Sequence, residues 1–302
     1  MTIALTGGTG FVGQALLDCA SEGGLSLRAL TRKPQSSRPG VHWVAGDLNN
    51  KRALTRLLAG AEVVIHVAGV TSAPDAAGFE AGNVTGTLNL IEAAKRAGVP
   101  RFVHVSSLSA REPGLSLYGA SKARSEKLVR ASGLDWTLVR PPAVYGPRDN
   151  AMLELFRMAK WGLVPVPPPG KLSLIHATDL SRLLLALIPG GEGVTHTSFE
   201  PDDGKLDGWS HYDLALAIGW AVGRRPRVLH LSRKWMERAA RADMRFRRAN
   251  AKLTLDRVGY MTHPDWVVSH GQRPPRSLWR PRIETREGLK ATAEWYRANR
   301  WL

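Results

Sequence analysis

Thr2-Ile3-Ala4-Leu5-Thr6-Gly7-Gly8-Thr9-Gly10-Phe11-Val12-Gly13 opens the chain and decides how the rest is read. An apolar run leads into a glycine-rich turn, and the turn leads into the helical pattern Val12–Ala20. Gly7 permits the tight turn, Gly10 lets backbone approach a pyrophosphate, and Gly13 lets the helix lie close to the strand. The first helical amides, at Phe11, Val12 and Gly13, then face a negative group. Three glycines alone are a weak signal. The strand before them and the helix after them make the dinucleotide-binding reading strong.

Outward from that turn, short β-branched runs alternate with helical patterns. Strands are expected at Thr2–Thr6, Leu25–Leu30, His42–Val44, Val63–Val67, Arg101–Val105 and Trp136–Arg140. Helices are expected at Val12–Ala20, Lys51–Leu58 and Thr85–Ala97. This order implies right-handed crossovers and a parallel sheet, and Val63-Val64-Ile65 has the continuous apolar character of a strand buried on both faces. Past Arg140 the pattern changes. Pro141-Pro142 stops the strand, Ala151–Trp161 reads as a helix, and Pro165-Val166-Pro167-Pro168-Pro169-Gly170 reads as a stiff apolar loop. Leu172–His176 reads as a further strand and Thr178–Ile188 as a helix starting near Asp179. From about Ser198 the chain reads as helical and basic, without alternation. The expected fold is α/β, a Rossmann-type doubly wound parallel sheet with a smaller, mostly helical C-terminal substrate lobe. Its boundaries fall at 1–145 for the cofactor domain, with later strands from about 170–197, and at 146–302 for a discontinuous substrate lobe.

The 302 residues, 43% of them hydrophobic, suffice for a full core. The single cysteine, Cys19, forms no internal disulfide and calls for no oxidising compartment. A strand at Thr2 leaves no room for a signal peptide, and the longest apolar run, Leu183–Ile188, is too short to span a bilayer. The expected location is cytoplasmic, with membrane association left open by the charge. The net charge is +16, and residues 224–302 hold 20 of the 42 Lys and Arg against 7 of the 26 Asp and Glu. Such a region suits an anionic partner or is a solvated surface.

The end of the second strand chooses the dinucleotide. An NAD site places an acid there for the ribose 2′-hydroxyl. Leu27-Arg28-Ala29-Leu30-Thr31-Arg32-Lys33 has none, and Arg32 and Lys33 stand where a 2′-phosphate would lie. NADP(H) is therefore favoured over NAD(H). Tyr118-Gly119-Ala120-Ser121-Lys122 puts a phenol and an ammonium on one helix face. A free tyrosine titrates near about 10, and a neighbouring ammonium lowers that value. Tyr118 can then exchange a proton with a substrate oxygen while hydride moves to or from nicotinamide. Upstream, Phe102-Val103-His104-Val105-Ser106-Ser107-Leu108-Ser109 ends a strand with hydroxyls that can bond a reacting oxygen, Ser107 first and Ser109 as the alternative.

In this order the motifs resemble the extended short-chain dehydrogenase/reductase family, which includes nucleotide-sugar epimerases and dehydratases. The glycine spacing is the family's, and further elements match. Gly46-Asp47-Leu48 resembles the acidic element near adenine, and His66-Val67-Ala68-Gly69 the strand under the cofactor. Asn83-Val84-Thr85-Gly86-Thr87 resembles the helix behind the site. Pro141-Pro142-Ala143-Val144-Tyr145-Gly146-Pro147 resembles the loop beside nicotinamide, and His176-Ala177-Thr178-Asp179-Leu180 the later strand-to-helix element. The resemblance covers roughly residues 1–190. It implies that Asp47, Leu48, Ala68, Gly69, Pro141 and Val144 border the cofactor, that Lys122 also reaches the ribose, and that Ser107, Tyr118 and Lys122 are catalytic. Two departures lower the nucleotide-sugar reading. Ala143 stands where such enzymes carry an Asn, and Leu108 and Ser109, not an acid, follow the serine.

Trp161-Gly162-Leu163-Val164-Pro165-Val166-Pro167-Pro168-Pro169 either forms an apolar substrate wall, which Trp209 can join, or belongs to the core of the lobe. Substrate contacts are expected from Ser109, Ala143, Trp161 and Val166. Ser232–Arg248 reads as a helix with Arg238, Arg241, Arg245 and Arg248 on one stripe and Trp235, Ala239, Ala242 and Phe246 on another. The apolar stripe either packs on the protein's own core, the favoured reading, or lies on an anionic membrane. Nucleic acid is disfavoured, because no recognised module accompanies the charge. His66, His104 and His176 lack metal-ligand spacing, so no metal is expected. The resulting expectation is an NADP(H)-dependent oxidoreductase for a carbonyl/alcohol pair on a lipophilic small molecule. The alternatives are a nucleotide-sugar epimerase or dehydratase with retained cofactor, and a nucleotide-binding assembly subunit. A homodimer, as in relatives of the extended type, stays open.

Overall fold

Each apolar run assigned as a strand before Arg140 forms one in the computed structural model, which describes residues 2–248 and 251–302. These are β1 (Ile3–Thr6), β2 (Leu27–Thr31), β3 (Val41–Ala45), β4 (Val63–His66), β5 (Arg101–Val105) and β6 (Asp135–Val139). A seventh strand, Thr197–Phe199, joins beside β6, and β5, β4, β1, β2 and β3 follow in that order. Every neighbouring pair is parallel. All residues of β1, β4 and β5 are buried, which is why they read as unbroken apolar runs, whereas the edge strand β3 is mostly uncovered. The strand order reverses between β1 and β4, which opens a crevice beyond their carboxyl ends.

The helices that flank this sheet are α1 (Phe11–Glu22), α2 (Lys51–Leu58), α3 (Ala76–Phe79), α4 (Gly86–Arg96) and α5 (Leu117–Arg130). One face of the sheet is sealed by Leu54, Leu57 and Leu58 of α2, Leu90 and Ile91 of α4 and Val129 of α5, against Phe102, Trp136 and Leu138. On the other side α1 packs against the helix Ala177–Ala186. Side-chain caps start α2 and α5, where Asn50 accepts from the Ala53 amide at 3.0 Å and Ser116 from the Gly119 amide at 2.9 Å. Arg101 is a buried cation with partners on every side. It bonds the Asp135 carboxylate at 2.8 Å, Thr137 Oγ1 at 2.7 Å and the Leu187 carbonyl, and so ties segment 177–200 to the sheet.

Two compact units result. One comprises Met1–Pro141, Ala177–Glu200 and Pro274–Trp279; the other comprises Pro142–His176, Pro201–Arg273 and Arg280–Leu302. In the second unit the helices Leu153–Trp161, His211–Val222 and Thr285–Ala298 surround Tyr145, Phe156, Val164, Trp209, Ile218, Leu289 and Tyr296. It holds more strand than its sequence suggests. The expected strand Leu172–His176 is two short ones. Lys171–Leu172 pairs with Trp209–Ser210 and Asp265–Trp266, and Leu174–His176 pairs with Ala143–Tyr145, so neither belongs to the seven-stranded sheet. The apolar loop at Pro165 is a strand over Leu163–Val166, parallel to Arg227–His230. Pro165 is tolerated because this strand has a partner on one side only.

Candidate active site

The glycine turn is fixed from inside the protein at two points and open at a third. Gly7 has φ +79°, and a Cβ there would stand 2.5 Å from the Ala68 nitrogen. A Cβ on Gly13 would overlap the Gly7 carbonyl, so α1 can lie this close to β1 only without a side chain. Gly10 differs. A Cβ there would meet nothing within 4 Å except the Gly7 oxygen, at 3.3 Å. No side chain caps α1 and no acid lies in its first turn. An open cradle of uncapped amides, kept clear by glycine, fits a dinucleotide pyrophosphate. Phe11 and Val12 begin the helix above it, half-buried.

The adjacent strand ends complete the rim. Thr31 Oγ1 donates to the Lys33 carbonyl at 2.6 Å, turning the chain so that Arg32 and Lys33 stand exposed after β2. Asp47 caps its own turn by accepting from the Asn49 amide at 2.8 Å. The Leu48 side chain lies against Gly86 of α4. Ala68 and Gly69 follow β4, with Ala68 backing Gly7 and Gly69 beside both Asn83 and Lys122.

Helix α5 carries the acid–base candidates. Lys122 is buried, and its Nζ donates to the Val105 carbonyl at 2.9 Å, at the last residue of β5. Burial holds its ammonium well below the usual lysine range, at about 8, with Glu126 pulling the other way. Tyr118 lies one helical turn earlier, with its ring 6.2 Å from that of Phe79. Ser107, two residues past Val105, accepts from the Ser109 amide at 3.2 Å and so caps the turn Leu108–Arg111. The Ser109 carbonyl meets Gly119 so closely that a Cβ there would stand 2.6 Å from it. Ser107, Ser109, Tyr118, Lys122, Ala68, Gly69 and the glycine turn all belong to the first unit, with the Ser109 carbonyl against Gly119 and Lys122 beside Gly69. Pro141 belongs there too, accepting from the Leu108 amide at 3.0 Å.

Three supporting features take their roles from the structure. Asn83 sits in a π-helical turn, Glu80–Thr85, between α3 and α4. Its amide holds Val70 from both sides, accepting from the nitrogen at 2.6 Å and donating to the oxygen at 2.9 Å, and it also donates to Ser121 Oγ at 2.9 Å. The segment Asn83–Thr87 was assigned to this helix; the bulge that aims Asn83 has no periodic signal. Second, Glu126 continues the four-residue spacing of Tyr118 and Lys122. It accepts from Ser106 Oγ at 2.6 Å and from Arg140 Nη2 at 2.7 Å, while Glu200 faces both Arg140 and Arg111. Third, His66 and His104 lie 5.0 Å apart, ring to ring, under the site. His66 is held between Thr6 at 2.6 Å and Thr87 at 2.9 Å. Burial first, then the Lys122 charge, pushes His66 down to about 3 and His104 well below the ordinary histidine value. Both rings are neutral polar packing. Among the described residues no group of His, Cys, Asp or Glu could hold a metal ion.

The remaining expected residues lie in the second unit. Val144 and Ala143 are in the strand paired with Leu174–His176. Val166 is core, and Trp161 projects into solvent at 88% exposure, so the two do not form one wall. Trp209 lines a cleft of about 690 Å³ with Asp203, Lys205, Asp213, Glu284 and Arg286, a charged setting rather than an apolar one. The favoured packing of the basic helix is also corrected. The helix Arg233–Arg247 packs through Met236 and Ala240 against Val258, while Trp235, Ala239, Ala242 and Phe246 are exposed.

The chain is similar to several known proteins. Residues 7–154 match a family model described as NAD(P)H-binding. A ceramide reductase from Caulobacter vibrioides is 35% identical over 99% of this chain and 96% of its own length. A 3-beta-hydroxysteroid dehydrogenase from Mycolicibacterium neoaurum is 27% identical over 78% of this chain and 74% of its own length. Among solved structures, a dTDP-glucose 4,6-dehydratase from Streptomyces venezuelae superposes with a TM-score of 0.75 at 23% identity, covering 99% of this chain and 98% of that one.

Proposed function

This chain belongs to the extended short-chain dehydrogenase/reductase family and is an NAD(P)-dependent oxidoreductase; we propose that it uses NADP(H) to interconvert a carbonyl and an alcohol on an apolar, lipid-like substrate. The observation that carries this reading is the buried Lys122 ammonium, anchored on the Val105 carbonyl one helical turn from Tyr118. A cation so placed stabilises a phenolate, which makes Tyr118 a usable acid and base near neutral pH. In the reducing direction Tyr118 gives its phenolic proton to the carbonyl oxygen, and in the oxidising direction it takes the hydroxyl proton. Ser107 donates a hydrogen bond to the same oxygen, with Ser109 as its neighbour and alternative. When bound, the nicotinamide cofactor supplies or accepts the hydride.

The chain's other residues bind and orient. The amides of Phe11, Val12 and Gly13 receive the pyrophosphate in the cradle that Gly7 and Gly10 keep open. Arg32 and Lys33 receive the 2′-phosphate, Asp47 and Leu48 border the adenine, and Ala68, Gly69, Pro141 and Val144 border the rest. Lys122 also holds the ribose. The substrate class is supported by the similarity to a ceramide reductase over nearly the whole chain, and by Ala143 at the position of the expected Asn. A substrate of this class resides in bilayers, so peripheral contact with an anionic membrane surface belongs to the same proposal.

Thermal unfolding with NADPH, NADH and a panel of UDP- and dTDP-sugars tests the reading. A ligand that binds only the folded state raises the apparent stability. The expected result is a large shift with NADPH, a smaller one with NADH and none with sugars. A preference for NADH would remove the role given to Arg32, and a sugar-nucleotide shift would move the protein to the epimerase and dehydratase chemistry.

A further inference from the structure

We propose that the second unit docks on an anionic lipid bilayer through the exposed aromatic stripe of the helix Arg233–Arg247 and the outward face of the strand pair beside it. The strand pair shows the design most simply. Side chains alternate along a strand, and Val164 and Val166 point inward and are buried. Leu163 and Pro165 therefore point outward, and their partners in register are Arg227 and Leu229. Leu163 and Leu229 are each about half exposed, and Trp161, two residues before Leu163, is 88% exposed. The Arg227 amide donates to the Gly162 carbonyl at 2.8 Å, which seats Trp161 and Leu163 next to a cation.

Two residues past His230, the end of that second strand, Ser232 caps the basic helix. Its inward side is set by Met236 and Ala240, packed on Val258. At 100° per residue, Trp235, Ala239, Ala242 and Phe246 form one stripe about a quarter turn away from that side. Trp235 is 61% and Phe246 84% exposed. Lys234, Arg238, Arg241 and Arg245 form the next stripe round, facing away from the protein. Among the described residues Lys234, Arg238 and Arg245 have no carboxylate partner, whereas Arg233 and Arg247 are tied to Glu237 and Asp243. Arg238 instead lies over the Trp235 ring, 5.1 Å from its centroid.

An exposed apolar stripe flanked by unneutralised arginines is the pattern of a helix lying in a membrane interface. The charge selects anionic headgroups, and residues 224–302 supply it with 20 Lys and Arg against 7 Asp and Glu. Aliphatic Leu163 and Leu229 gain nothing from phosphate backbone or stacked bases but gain from acyl chains, which favours lipid over nucleic acid. No helix among the described residues is long and apolar enough to cross a membrane, so the contact is peripheral. The proposal gives a surface to the membrane contact named with the proposed function, and because surface geometry carries it, its failure would leave the hydride-transfer reading standing.

The test is flotation of the full chain with vesicles of phosphatidylcholine alone and of phosphatidylcholine with phosphatidylglycerol. Binding to the mixed vesicles only, weakened by salt, is expected. Trp235→Ala with Phe246→Ala should lower it at least about tenfold. Arg238→Gln with Arg245→Gln should lower it by about fivefold per residue. These residues are exposed, so unfolding temperature should not move and a folding defect cannot mimic the effect. Equal binding to neutral vesicles, no binding to either, or vesicle binding indifferent to the aromatic pair would overturn the proposal. Retention on duplex DNA at the salt where vesicles are released would overturn it in favour of a nucleic-acid partner.

Discussion

Helix α5 and the helix Arg233–Arg247 carry the same kind of sequence, cations and ring side chains at three- and four-residue spacing, and the fold turns them in opposite directions. In α5 the cation goes inward, and Lys122 is 3% exposed. In Arg233–Arg247 the rings go outward. What differs is the neighbour. Alongside α5, β5 offers the Val105 carbonyl to the ammonium, and Glu126 sits a turn further on. The other helix has Leu255–Met261 to pack on, with Val258 at the contact, and this covers Met236 and Ala240 but not the ring stripe. Periodicity states which residues share a face; which face is covered depends on what the rest of the chain brings to it.

The comparison breaks most readily at α5. Tyr118→Phe should lower kcat by about 10²- to 10⁴-fold while the NADPH-dependent thermal shift persists. Unchanged turnover would place the chemistry elsewhere. Next is a pair of adjacent residues. Met236→Ala should destabilise the chain by about 2 kcal/mol, the lower end for a buried large-to-small change, since its cluster is small. Trp235→Ala should lie within about 0.5 kcal/mol of wild type in urea unfolding. If Trp235 proves the costlier of the two, the helix faces are assigned wrongly.

Arg32→Ala should weaken NADPH binding about ten- to a hundredfold and leave NADH unchanged, as the loss of a charge-assisted phosphate contact does. A further effect is on pH. His66 and His104 are held neutral in the folded chain, so below the ordinary histidine value near 6.5 the unfolded chain takes up protons that the folded one refuses. Stability should fall steadily as pH drops from 6.5 toward about 3, read as the urea midpoint. Lys122 acts at the other end. Its ammonium loses its proton near 8 folded and 10.5 unfolded, so stability should rise between those values, and Lys122→Met should remove the rise.

Much of the first unit was legible because its signals are local. The glycine turn, the buried runs of β1, β4 and β5, and the Tyr118–Lys122 spacing each arise within a dozen residues. Boundaries missed by a residue or two, as at Leu25, where the strand begins at Leu27 instead. The second unit was less legible because its short strands pair residues far apart. Lys171–Leu172 becomes a strand through Trp209 and Asp265, and Pro165 through Arg227 and Leu229, and no local pattern announces such partners. The resemblance placed Asn83 behind the site, but the turn that aims it was not legible, since a π-helical turn shifts the helical period there.

Reduction of a long-chain keto-lipid in mixed micelles, with NADPH deuterated at the transferring position, tests the central claim most directly. The account predicts one deuteron on the new carbinol carbon in the wild type, faster turnover with NADPH than with NADH, and almost no product with Tyr118→Phe. Product without the label, or labelled product formed equally well by Tyr118→Phe, would contradict it.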